Sequence, residues 1–96
     1  MFIVALTYKV DLSEVEKHID AHIHYLEKYY DCGCFLASGR KVPRSGGVIL
    51  AQAESHEALD AVIKEDPFFT EGVADYEVTE FVVSKSAAGL ERLREC

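Results

Sequence analysis

The spacing of apolar and polar residues gives the first information about this chain. Phe2 to Tyr8 is apolar on both parities, with Phe2, Val4, Leu6 and Tyr8 on one side and Ile3 and Ala5 on the other. That pattern predicts a strand covered on both faces. From about Ser13 to Asp31 the period becomes helical, and Val15, Ile19, Ile23, Leu26 and Tyr30 form one stripe. A single long helix is expected there, with Ser13 as N-cap and Gly33 just beyond its end. Cys34 to about Val42 reads as a second strand and Val48 to Ala53 as a third. Pro43-Arg44-Ser45-Gly46-Gly47 between them has the chemistry of a hairpin turn. Ser55 is placed to cap a short helix whose Leu59, Val62 and Ile63 face inward, and Pro67 ends that pattern. Ala74 to Val83 then has the β-branched and aromatic content of a fourth strand.

The order βαββαβ predicts an α+β domain of ferredoxin-like type, a four-stranded antiparallel sheet with both helices on one face. The other face is left bare. Its apolar side chains would form a larger patch than soluble monomers usually expose, so the chain is expected to be a homodimer in which bare faces meet. Leu90 and Leu93 at helical spacing suggest that residues 86–96 form a tail or short helix appended to a domain spanning residues 1–85.

Composition narrows the class of partner. With 96 residues, 49% of them hydrophobic and 28% charged, the chain can build one packed core and does not resemble a disordered segment. The formal net charge of −7 and the lack of a lysine or arginine run argue against nucleic acid and anionic membrane as partners. No apolar stretch approaches the roughly 20 residues needed to span a bilayer, and Met1 leads into a strand without a basic leader. Three cysteines, two of them the closely spaced Cys32 and Cys34 and the third Cys96, do not suit a disulfide framework, so a reducing cytoplasm is the expected setting.

Chemistry concentrates on the long helix. His22 falls between Ile19 and Leu26 at the edge of the apolar stripe, with His18, Tyr25 and Tyr29 as its wall, whereas His24 points to the opposite, solvated side. A half-buried histidine beside tyrosines suits proton transfer near neutral pH. The alternative is a core-edge histidine satisfied by a backbone carbonyl. Asp66 precedes Pro67 and should cap a short turn, while its carboxylate has acceptor capacity left to receive a histidine N–H. Metal binding is not expected: His22-x-His24 splays its rings around the helix, and Cys32-Gly33-Cys34 lacks a matching second pair. Gly46-Gly47 opens a strand rather than a helix, so no nucleotide cofactor is indicated. Ser38 lies within a strand, away from any nucleophile elbow.

Together the segments His22-Ile23-His24-Tyr25-Leu26, Phe35-Leu36-Ala37-Ser38-Gly39, Pro43-Arg44-Ser45-Gly46-Gly47, Asp66-Pro67-Phe68 and Gly72-Val73-Ala74-Asp75-Tyr76 resemble the YciI-like (YCII-related) family over roughly residues 1 to 85. The resemblance implies a ferredoxin-like fold, a dimer of the α+β-barrel type, and an active-site histidine and aspartate falling on His22 and Asp66. The wider superfamily includes cofactor-free oxygenases and muconolactone isomerase-like proteins, and one YciI-like enzyme removes chloride from a chlorinated hydroxyquinol. Cofactor-free proton transfer on a small oxygenated, cyclic or aromatic molecule is thus the implied chemistry. Two departures bear on the substrate: Ile19 and Asp20 stand where many members carry an arginine, and Arg40 stands where many carry a proline. Ser38, Arg44, Tyr25 and Arg40 are the candidate substrate contacts, the two arginines suiting a carboxylate or phenolate. Two other readings stay open, a non-catalytic dimeric module for a small ligand or a protein partner, and a cofactor-free oxygenase.

Overall fold

A computed structural model describes residues 1–91 and 93. Its elements run β1 (Phe2–Tyr8), α1 (Leu12–Glu16), α2 (Ile19–Asp31), β2 (Phe35–Arg40), β3 (Gly46–Ala51), α3 (His56–Ile63), α4 (Pro67–Thr70) and β4 (Ala74–Glu80). The four strands form one antiparallel sheet in the order β2-β3-β1-β4. This is the expected α+β arrangement of ferredoxin-like type. β1 is central because it is the strand apolar on both parities, pairing Val4 with Ile49 of β3 on one side and Val78 of β4 on the other.

The two faces of the sheet differ. Phe2, Val4 and Leu6 are buried beneath the helices, together with Phe35, Ile49 and Ala51 from the neighbouring strands and Val15, Leu59, Ile63 and Phe68 from above. On the opposite face Ile3 and Val48 are exposed and Ala5 and Leu50 only partly covered. β1 and β3 approach closely at one end. A Cβ built on Gly46 would lie 1.8 Å from the carbonyl oxygen of Leu6, so only glycine fits there.

The long helix departs from expectation in two ways. It is broken at Lys17 and His18, and Asp11 rather than Ser13 occupies the N-cap position of α1. The face of α2 that enters the core is also only partly the predicted stripe, since Ile19 and Leu26 pack against the core without being fully buried. Tyr25 and Tyr29 are buried, whereas Ile23 and Tyr30 are exposed. Each buried tyrosine puts its ring in the core and finds an acceptor at the margin for its hydroxyl, the Val62 carbonyl for Tyr25 and Glu65 for Tyr29.

The strand bounds shift by a few residues. β2 is shorter than predicted, β3 begins earlier and ends before Ala53, and β4 stops at Glu80. The last ladder bond beyond β4, from Phe81 N–H to the Met1 carbonyl, falls where the register of β1 runs out. Ser55 caps α3 as expected, its hydroxyl accepting from Ala58 N–H. In the predicted tail, Leu90 and Leu93 close successive tight turns onto Ala87 and Leu90. Residues 92 and 94–96, Cys96 among them, lie outside the described residues.

Candidate active site

The site begins with a proline. Pro67 restricts the residue before it to an extended backbone, and Asp66 accordingly has φ −68° and ψ 126° between α3 and α4. Its backbone N–H is used by the Ile63 carbonyl as α3 ends, and its own carbonyl receives Phe69 and Thr70 N–H as α4 begins. The side chain is thereby held in the interior, with no exposed surface. Three donors converge on it. Oδ1 accepts from Phe68 N–H at 3.0 Å and from His22 Nδ1 at 2.7 Å, and Oδ2 accepts from the Tyr76 hydroxyl at 2.5 Å.

A carboxylate can only accept, so Nδ1 of His22 carries a hydrogen. In the neutral ring Nε2 is then left with a lone pair. The imidazole is constrained on a second axis by Phe68, which lies against it with centroids 4.0 Å apart and planes 3° from parallel. Tyr25 flanks it at 6.1 Å. Only 15% of the His22 side chain is exposed, and that part faces a cavity of about 410 Å³.

Three walls border this open-sided cavity. Ile19, Ile23 and Leu26 supply the α2 wall, so part of the predicted stripe borders a space beside the core, while Ile19 and Leu26 also pack against the core itself. The sheet contributes Leu6, Tyr8, Val48 and Ile49. Ser38, Gly39, Arg40 and Arg44 close the β2 and hairpin side. In a chain with 17 acidic and ten basic residues, two arginines and no carboxylate line the cavity. Arg44 lies 3.6 Å from Glu16 on the surface, too loose to occupy its guanidinium fully.

Of the residues singled out from the sequence, His22 and Asp66 meet, and Ser38, Arg40 and Arg44 line the cavity next to them. Tyr25 does not. It is buried behind His22 with its hydroxyl donated to the Val62 carbonyl at 2.9 Å, because its ring is needed in the core. His24 is exposed, as expected. Cys34 and Cys32 direct their thiols to the carbonyls of Gln52 and Tyr29, and burial raises the Cys34 thiol above its ordinary range. Among the described residues no three potential ligand side chains gather in a metal-binding group.

Sequence reading missed Tyr76 and the stacking role of Phe68. Tyr76 pairs with Leu6 across β4 and β1, on the sheet's buried face, and a tyrosine there requires an acceptor. That parity was the available signal. Burial and then the Asp66 charge push the hydroxyls of both Tyr76 and Tyr25 well above the usual tyrosine range, and both stay neutral donors.

Comparison with known proteins agrees with this architecture. A family model described as the YCII-related domain matches residues 1–82. No curated protein matches the chain significantly. A solved structure similar in fold is 5-chloro-2-hydroxyhydroquinone dehydrochlorinase (TftG) from Burkholderia phenoliruptrix, in complex with 2,5-dihydroxybenzoquinone. It superposes with a TM-score of 0.73 at 19% identity, over 83% of this chain and 91% of that one.

Proposed function

The chain belongs to the YCII-related domain family, and from that premise we propose that it is a small-molecule enzyme in which His22, oriented by Asp66, transfers a proton on a small oxygenated, cyclic or aromatic metabolite. One observation carries this reading: a histidine with Nδ1 held by a buried carboxylate lines a cavity that is open on one side to solvent. General acid–base catalysis needs this combination, a fixed tautomer and a lone pair aimed at bound substrate. Nε2 accepts a proton from a C–H or O–H of the substrate, and the Nδ1–H bond to Asp66 offsets the charge that the ring gains. The proton is returned to another atom in an isomerisation, or passes to solvent after a leaving group departs with its electron pair in an elimination. Ser38, Arg40 and Arg44 serve as substrate contacts.

The neighbouring dehydrochlorinase supports the substrate class, since it acts on a hydroxylated ring small enough for a cavity of this volume. The working unit is a homodimer joined through the face that exposes Ile3 and Val48. A reducing, cytoplasmic setting suits the free Cys32 and Cys34. Among the described residues no helix is long and apolar enough to cross a membrane.

The test is proton exchange itself. A panel of hydroxyquinols, chlorinated hydroxyquinols and unsaturated lactones is incubated with the protein in D₂O, and deuterium incorporation, isomerisation and chloride release are followed by NMR and ion analysis. Turnover of at least one compound by the wild type, lost in a folded His22→Ala variant, is the expected outcome. No turnover across the panel, or equal turnover by the variant, would leave the non-catalytic binding module as the better reading.

A further inference from the structure

The chain has five tyrosines, and four of them have a hydroxyl partner. Tyr25 donates to the Val62 carbonyl, Tyr29 to Glu65 and Tyr76 to Asp66, while Tyr30 shares a hydrogen bond with Ser38. Tyr8 has none among the described residues. It is nevertheless only partly exposed, and it lines the same cavity as His22.

Its position is well determined. Tyr8 is the last residue of β1, on the parity of Phe2, Val4 and Leu6, and its backbone N–H bonds the Ser45 carbonyl at 2.9 Å. Its ring meets Phe68 edge-on, with centroids 6.0 Å apart and planes at 86°. The face of that same Phe68 carries His22. One aromatic ring therefore braces both side chains against one cavity. Phenylalanine at position 8 would serve the packing equally well, and the hydroxyl, which is not buried away from solvent, is free of protein partners among the described residues and can exchange water for a substrate oxygen in the cavity.

We infer that Tyr8 is a substrate-binding residue whose hydroxyl donates to a substrate oxygen. This rests on the reading of the cavity as the place where His22 works. When Nε2 takes a proton from a carbon next to a carbonyl, the electron pair left behind is shared with the carbonyl oxygen, and when it takes one from a phenol the pair stays on the phenol oxygen. That oxygen gains negative charge and accepts a stronger hydrogen bond from Tyr8 than before. The Tyr8 proton stays on Tyr8, and no covalent bond to the protein forms. The ligand class is accordingly a small molecule with a hydroxyl or carbonyl oxygen conjugated to the atom that loses its proton.

Tyr8→Phe removes only the hydroxyl. Wild type and variant are titrated with phenol, catechol and 2,5-dihydroxybenzoquinone, with toluene as an oxygen-free control, while the ring signals of His22 are followed by NMR. An oxygenated probe should shift His22 saturably in the wild type and bind Tyr8→Phe about threefold to tenfold more weakly, the loss of one hydrogen bond. Toluene should be indifferent to the change. Equal affinity of the oxygenated probe for both proteins would overturn the role of Tyr8 and leave the site reading intact. Failure of every oxygenated probe to reach His22 in the wild type would overturn both. A shift of the His22 signals by Tyr8→Phe without probe would make Tyr8 a positioning residue instead. Nuclear Overhauser contacts from bound probe to the Tyr8 ring are a second measurement on unmodified protein, and their absence beside contacts to His22 also counts against the inference.

Discussion

His22 and Phe68 lie ring on ring, 4.0 Å between centroids and 3° from parallel, so the aromatic that follows the Asp66-Pro67 pair sets the plane in which the imidazole can act. Phe68 is 2% exposed and belongs to the core as well. Phe68→Ala should therefore lower stability by about 3–5 kcal/mol, the usual range for emptying a buried phenylalanine position. Denaturant unfolding measures that loss, and His22 should show broadened ring signals in whatever fraction remains folded. A loss under about 1 kcal/mol would mean that the ring is not packed as described.

Asp66→Asn tests the carboxylate. An amide keeps the shape but can accept at only one of its two arms, so at least one of Phe68 N–H, Tyr76 OH and His22 Nδ1–H loses its acceptor. Leaving a buried donor unsatisfied costs about 1–3 kcal/mol. The expected result is destabilisation of that order, and ¹⁵N spectra in which His22 no longer has its hydrogen confined to Nδ1. An unchanged tautomer in the variant would show that Asp66 does not select it.

Alkaline pH should weaken the fold through Tyr25 and Tyr76. Burial, reinforced by Asp66, raises both above the ordinary tyrosine value near 10. In the unfolded chain both lose their protons first, so above about pH 10 the native state binds more protons and stability falls as pH rises. Below that pH the contribution is present in full. Melting temperatures should decline from about pH 10 upward, and more gently in Tyr76→Phe. Identical slopes for wild type and variant would remove Tyr76 from this account.

The bare sheet face predicts association. Light scattering at micromolar concentration should give the mass of a dimer, and Ile3→Lys with Val48→Lys should give a folded monomer, because both positions are exposed within the single chain. A wild-type monomer, or a dimer indifferent to both charges, would exclude this face as the interface.

The fold was largely readable because its strands and two of its caps announce themselves locally: the two-sided apolar run at Phe2–Tyr8, Ser55 before α3, Asp66 before Pro67. His22 and Asp66 could each be nominated on the same grounds, yet their contact spans 44 residues and no local rule states it. The α2 stripe shows why such reading stops where it does. Ile19, Ile23 and Leu26 have helical spacing whether they face a core or line a cavity, and hydrophobic periodicity does not distinguish the two. Tyr76 was hidden for a related reason, since strand parity tells that it points inward but not which acceptor waits there.

The close approach of β3 to β1 at Gly46 has a consequence for how this cavity can diversify. Gly46 lines it, and any side chain there would collide with the Leu6 carbonyl, so along that stretch the floor is bare main chain that substitution cannot reshape. The opposite wall, Ile19, Ile23 and Leu26, belongs to a helix whose buried anchors in the core are Tyr25 and Tyr29. Ile23, the exposed one of the three, can change size without unseating the helix, whereas Ile19 and Leu26 also touch the core. Relatives with different ligands, and libraries meant to find them, should vary most at Ile23 on α2 while the main-chain floor at Gly46 stays the same.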